Sequence, residues 1–596
     1  FNKEGVLKVV KDEQDYYLQR RIAEGKIQTK HQGVAELEQM DNEFLYKFAK
    51  GADQDATALS QKVDDYLHAK HAIDYNERLG DGAAKITTEA AKRRIKAFEK
   101  AGLDKSLEPV IDIRMQQSRQ ILDELVDGGL IAKKTADGWR KTSPDYVPLN
   151  RVMDELDDAS AIDTLHNFHV GRKEVKTTGQ FKAKGSELEV RSIRENIYNN
   201  LVSAIKRSEI NKANIAFTKL IKANPDTAGE IATVGRFNPR ANRNNAMTVF
   251  EDGKKISVQF KDPKMAAAFK GTNKSELHSW LKGTLAINRF IGKTLTMWNP
   301  LGFTIPNIAR DRSEAFVNGL NKMGLKNSAQ TLNPLRAGSD MSVITKNLLK
   351  MAPSSPKEKE LFDLYKDFKK HGGSTGGLAI TTVKDVEKNI RDLTKHLNSP
   401  TRRKARKLNE ILSGINEVAE DATRFGAFRQ AIASGMTKDQ AALAARDSSF
   451  DPMLKGTQMD SISALYLFAN PAVQSGKNFI RSMKNPKVGA SVMAGLVGLT
   501  MGIDKWNSQF DPDWRAQFTD KRGSSWKTNK HLLFVTGKNE DGTLDHVSIP
   551  IGYSMVPFKL AADRLQQFIS GQDVGDPLTL GKELRDEILD SYNPLG

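Results

Sequence analysis

From Val488 to Ile503 the chain reads VGASVMAGLVGLTMGI, sixteen residues without a charge. The rest of the sequence is the opposite: 28% of its 596 residues are charged and the net charge is +17. As a helix, a run of that length covers about 24 Å, against roughly 30 Å for the hydrocarbon core of a bilayer. Its six branched aliphatics are worth roughly −2 to −3.5 kcal/mol of insertion free energy, which one buried charge would cancel. The segment is therefore balanced between water and lipid. Ala490, Ala494, Gly498 and Gly502 recur every four residues, with Ser491 and Gly495 beside them, and form one nearly flat helix face. Lys484 and Lys487 precede the run, and Lys505 and Trp506 follow it, as interfacial anchors do. Glycine in a helix costs roughly 0.8–1 kcal/mol per residue, so the small face predicts a packing partner. That partner is either the core of a large helical protein, a second subunit, or the lipid-embedded part of an assembly.

The chain opens at Phe1 and reads as a processed product or part of a longer polypeptide; its first residues lack the apolar core of a signal peptide. It has no cysteine, which excludes disulfides and thiolate metal sites. The surplus of 91 Lys and Arg over 74 Asp and Glu favours polyanions. The cations gather at Lys92–Lys96, at Arg236, Arg240 and Arg243, and at Arg402, Arg403, Lys404, Arg406 and Lys407. Aromatics make up 7%, without an RNA-recognition signature, so the expectation is diffuse, sequence-independent attraction to double-stranded DNA through surfaces such as Arg402–Arg406.

Helical periodicity dominates Asp41–Leu67, Thr87–Ala101, Leu107–Val126 (stopped by Gly128-Gly129) and Glu189–Lys222. In the last of these, Ile193, Ile197, Leu201, Ala204, Ile205, Ile215 and Leu220 form the apolar stripe, with Lys and Arg expected opposite. Leu130–Leu149 reads as an extended connector. Met247–Phe260 is a β-hairpin turning at Asp252-Gly253, and Leu532–Ile551 holds a second. Met351–Lys357 and His371–Gly377 read as loops. The predicted fold is mainly α: an elongated multi-helix protein with two small β-hairpins. Its predicted regions are 1–144, 145–280, 281–480, the apolar hairpin arm 481–506, and 507–596.

Chemistry-bearing patterns are sparse. His166 and His169, and likewise His68 and His71 in an apparently exposed context, have a spacing that shares a metal only with a third ligand, which is not apparent. HGGSTGG at His371–Gly377 is not a phosphate-binding loop. Asp154, Glu155, Asp157 and Asp158 read as a solvated acidic cluster. No catalytic residue, metal or cofactor is predicted, and the expectation is a protein that is not an enzyme.

The more specific signals are Asn-Pro-punctuated apolar stretches. In TLTMWNPLGFTIPNIAR, Trp298, Asn299, Pro300 and Pro306 mark two expected helix breaks. Glu417, Glu420 and Arg424 share a helix face, and Thr437 caps the helix after it. ALYLFANPAVQSGKNFI, broken at Asn470-Pro471, is the expected partner limb of the apolar arm.

WNPLGFTIPNIARD, NEVAEDATRFGAF, AALAARDSSFD and LYLFANPAVQSGKNF, in this order, resemble the C-terminal region of internal virion proteins of short-tailed phages, a region shared with large phage polyvalent proteins. The resemblance spans roughly Asp145 to Gly596; DYVPLNR and the Asp-Gly hairpin before KDPKMAAAFKG fit it too. It implies an ejection protein, held in the virion interior and then moved to the host periplasm and inner membrane, where copies assemble into a conduit for the genome. The implied partners are copies of itself, other core or ejection proteins, the portal or tail, double-stranded DNA and the host inner membrane. The competing expectation is a polyvalent protein co-injected with the DNA that acts in the host cytoplasm.

Overall fold

The computed structural model describes residues 14–149, 192–237, 245–270, 300–349, 351–374, 418–449, 486–518 and 526–571, and six isolated positions beyond them. The fold is mainly α, as the periodicity predicts, with two small antiparallel sheets. The described residues fall into two compact units, one within Phe1–Lys270 and one from Pro300 onward.

In the first unit, α1 (Tyr16–Ala52) and α2 (Ala56–Leu79) divide the region expected as one helical stretch. Asp53, at φ 52°, turns the chain between them, and Asp15 and Asp55 cap the two N-termini by accepting from Leu18 and Ala58 N–H. Thr87, where the helical periodicity begins, caps α3 (Thr88–Lys100), and Gly128 ends α4 (Glu108–Asp127) as predicted. The expected extended connector instead contains α5 (Lys133–Thr142). Gly138 is absorbed inside that helix, and Pro144 falls just beyond its end.

The long helix α6 (Ile193–Ala223) packs against α1, α4 and α2, so the boundary expected at residue 144 lies inside one core. Composition along the chain cannot report such non-local packing. Lys206, Lys219 and Lys222 of α6 are exposed as expected, but Arg194, Asn196, Asn199, Glu209 and Asn211 are buried along with most of the apolar stripe.

Those polar groups belong to a network that ties four helices together. The Arg114 guanidinium on α4 donates to Asp41 Oδ2 (2.8 Å) and Oδ1 (3.2 Å) on α1. It also donates to Asp64 Oδ1 (2.8 Å), Ser60 O (3.1 Å) and Ser60 Oγ (2.9 Å) on α2. Arg194 on α6 donates to Glu38 Oε2 at 2.8 Å, and its backbone N–H donates to Asp64 at 3.1 Å. Three acids face two guanidiniums. Burial pushes Glu38 and Asp64 up, whereas for Asp41 burial is outweighed by Arg114 and Arg194, which hold it down. Glu38 Oε1 is buried without a hydrogen-bond partner, so Glu38 is the acid that keeps a proton most readily.

Strands β1 (Ala232–Arg236), β2 (Ala246–Glu251) and β3 (Lys254–Phe260) form a sheet in the order β1-β3-β2. The predicted Asp-Gly turn is present, with Asp252 at φ 49° and Gly253 at φ 76°. Gly253 is also sterically required, since a Cβ there would meet Ala132 N at 2.8 Å. The sequence reading missed β1, a five-residue strand carrying a glycine.

In the second unit, α8 (Pro300–Ala329; α7 is Pro263–Lys270 in the first unit) begins at the expected Asn-Pro but runs straight through Pro306. A proline in the second turn loses one backbone hydrogen bond, and the helix continues around it. The break comes instead at Gly324 (φ 74°, ψ 171°). Helices α9 (Pro334–Leu348), α10 (Pro356–Lys370), α11 (residues 418–433) and α12 (Lys438–Arg446) enclose a core of Phe362, Tyr365, Phe368, Phe425 and Phe428. Thr437 and Gln440 form the capping box of α12. A separate core joins α8 to α13 (Pro486–Asn507) and α14 (Val556–Ile569), so the apolar arm and the C-terminal region share one packed layer. Strands β4 (His531–Lys538) and β5 (Leu544–Pro550) make the second predicted hairpin.

Two outcomes follow for the first unit. Arg114→Met leaves Asp41 and Asp64 buried without their partner and lowers stability by about 3–5 kcal/mol in denaturant titration; a loss under about 1 kcal/mol would refute the central role of the network. His31, whose Nε2–H donates to Val202 O at 3.2 Å, is pulled down to about 4 by burial, and His71 to about 3. Below the unfolded histidine value of about 6.5, the unfolded chain binds protons that the folded one refuses. The stability these histidines contribute is therefore present above pH 6.5 and lost as pH falls toward 4. His31→Gln with His71→Gln should flatten the fall in thermal midpoint across that window, and an unchanged slope would contradict this origin.

Candidate subunit and membrane contact face

Helix α13 is 22 residues long, about 33 Å, and extends the charge-free run at both ends to the thickness of a hydrocarbon core. At its C-terminal end the Asn507 side chain joins β4, donating to Leu533 O at 2.9 Å and accepting from Val535 N–H at 2.8 Å.

The helix divides most of its surface by side-chain size, with Leu499 (39% exposed) and Met501 (43%) as the large residues that stay in solvent. Val488, Val492, Leu496, Thr500, Ile503 and Asn507 point inward. The aliphatics among them meet Val317 and Leu320 of α8 and Val556, Phe558 and Ala562 of α14 or sit in the neighbouring core around Trp514. Ala490, Ala494, Gly495, Gly498 and Gly502 point outward and are exposed. No heavy atom lies within 4 Å of where a Cβ would stand at Gly495, Gly498 or Gly502. Among the described residues, the predicted partner of the small face is therefore not supplied by this chain.

Little on this helix needs water between its ends. The Ser491 hydroxyl donates to Lys487 O (2.8 Å) and that of Thr500 to Val497 O (3.0 Å). Asp504 is engaged by Gln566 Nε2 at 3.0 Å, Trp514 Nε1 at 3.2 Å and Arg515 at 3.3 Å. Lys487 and Lys505 are exposed near the two ends. Trp506 differs from a simple interfacial anchor. Its indole N–H is committed to Val535 O at 2.8 Å, while 48% of the residue remains exposed. Phe568 and Ile569, exposed in the last turn of α14, follow the Gln566 that bonds Asp504. The helix is long and apolar enough to cross a membrane, with a mean hydropathy of 1.3 over its best window. Only 28% of that window is buried, unlike the core helix of a soluble protein, which is mostly covered.

Other expected residues have different roles. Arg424 is fully buried and binds Glu420 (2.7 Å) and Ser449 Oγ (3.0 Å), so that motif clamps a core. Near it, Asp311 is pushed up to about 7 by burial and then by Glu420, with Arg424 opposing. His68 and His71 are buried rather than exposed, and His68 Nε2–H donates to Ala84 O at 2.8 Å. Among the described residues, the carboxylates close enough to share a cation are Glu124, Asp127 and Glu209. Lys30 Nζ already bridges Glu124 (2.6 Å) and Glu209 (2.8 Å), and Lys212 bonds Asp127 and Glu209. Trp298, Asn299, Glu417, Asn470, Pro471, Arg402, Arg403, Lys404, Arg406, His166 and His169 lie outside the described residues.

Compared with family models, curated proteins and solved structures, the chain finds no match in any of the three.

Because the outward glycines touch nothing, Gly498→Ala and Gly502→Ala should each stabilise the protein by about 0.8–1 kcal/mol in dilute thermal unfolding. Destabilisation by either would mean that the face is already covered within the single chain.

Proposed function

We propose that this chain is an ejection protein of a short-tailed phage, stored inside the virion and released into the host envelope, where copies assemble into a conduit for the genome. The observation that carries this reading is the outward face of α13: on a helix of membrane length, uncharged from Val488 to Ile503, lined mostly with small residues, and uncovered by the described residues of its own unit. Small residues expose little apolar area, so the face is tolerated in water. They also let a second backbone approach closely, which drives helix association where lipid removes the hydrophobic effect. The same face thus suits a stored, soluble state and an assembled one. The motif resemblance supports the reading, as does the +17 net charge, which makes a DNA-lined lumen electrostatically favourable. In this reading the chain is not an enzyme, and its partners are its own copies, other core proteins, the portal or tail, DNA and the host inner membrane.

The test is Gly498→Leu with Gly502→Leu. Both positions have open space, so the monomer keeps its fold while close helix approach is blocked. The expected result is thermal stability at or above that of the wild type, with loss of oligomers in liposomes and loss of infectivity. Normal oligomers and normal infectivity would overturn the reading. Recovery of the wild-type protein in the host cytosol would favour a co-injected cytoplasmic factor instead.

A further inference from the structure

Three helices of the second unit bring arginines to one carboxylate. Arg312 on α8 is 7% exposed, and its Nη1 donates to Thr331 O at 2.7 Å. Its Nε and Nη2 are buried and meet no acceptor. Among the described residues no other arginine leaves two guanidinium nitrogens in that state. Asp340 on α9, the acid whose charge acts on Arg312, is already hydrogen-bonded by Arg429 of α11. Arg336, exposed one turn before Asp340, adds a third positive charge acting on that carboxylate. Asp340 is thus ion-paired with Arg429 and lies within reach of the charges of Arg312 and Arg336.

We infer that this cluster is a binding site for a small tetrahedral oxyanion of the phosphate or sulfate class, with Arg312 as its floor. The unpartnered atoms decide the ligand class. Nε and Nη2 form the side-on edge of a guanidinium, two parallel N–H donors spaced for two oxygens of one anion. A buried donor pair of this kind is expected to have an acceptor. A bridging water would offer oxygen but leave the positive surplus, whereas an oxyanion answers both. Exposed Arg336 marks the solvent side from which a free anion enters. Arg312 itself is too enclosed for a duplex backbone to reach. The inference is independent of the assembly proposed for α13.

The experiment is thermal unfolding and titration calorimetry of the intact protein with inorganic phosphate, against chloride at matched ionic strength. General stabilisation by excluded phosphate rises without saturating. The site predicts a saturable rise in midpoint at low concentration. Arg312→Lys keeps the charge but not the side-on edge, and should weaken that response roughly tenfold, the size of one charge-assisted hydrogen bond. If that variant fails to fold, Arg336→Ala, at an exposed position, should still weaken phosphate several-fold. No saturable response in the intact protein overturns the site, as does an undiminished response in the folded Arg312→Lys variant or, failing that, in Arg336→Ala.

Discussion

Every donor of the Arg114 guanidinium is used, and through it the first unit acquires its geometry. The five bonds fix α4 against α1 and α2, and Asp64 passes the connection to the start of α6 through Ser192 Oγ (2.5 Å) and the Arg194 N–H. Apolar contact alone would let these long helices slide by a turn with little loss. A buried ion network does not, since each shifted register strands a charge. The cost is a net negative centre in which Glu38 holds a proton more readily than an exposed acid would. Specific helix register is gained at the expense of a core that a purely apolar design would make more stable.

The second unit works under a different constraint. Its helix α13 is held by one aliphatic face and presents mostly small residues on the other, so that beside Leu499, Met501 and Trp506 the backbone stays approachable. Had the outward alanines and glycines been leucine like Leu499, the helix would expose a contiguous apolar patch. Had they been lysine, it would be an ordinary surface helix.

Much of this was legible in the sequence because it is local. The cap at Thr437, the stop at Gly128, the Asp252-Gly253 turn and the small-residue stripe of α13 all act within a few residues. The misses are non-local or contextual. Pro306 looks like a breaker, yet its place near the helix start makes it tolerable. Glycine and prolines between residues 130 and 149 hid a ten-residue helix. His68 and His71 sit among charges in sequence but under other helices in space. The one available hint of the ion network was Arg114 itself, which falls in step with Val110, Gln117 and Ile121 on the buried side of its helix. A charged residue at an apolar step announces that a partner exists, but its partners lie 73 and 50 residues away and no periodicity names them.

The two ends of α13 are fastened by different forces. Along most of its length the join is aliphatic contact, whose strength comes from water and vanishes in hydrocarbon. At Asn507 it is a pair of hydrogen bonds that occupy Leu533 O and Val535 N–H as a neighbouring strand would, and these grow stronger as the local dielectric falls. In the proposed passage from water to lipid, the helix would loosen along its aliphatic join while its tether to the hairpin tightened, so that a bundle could come apart without the arm being cut adrift.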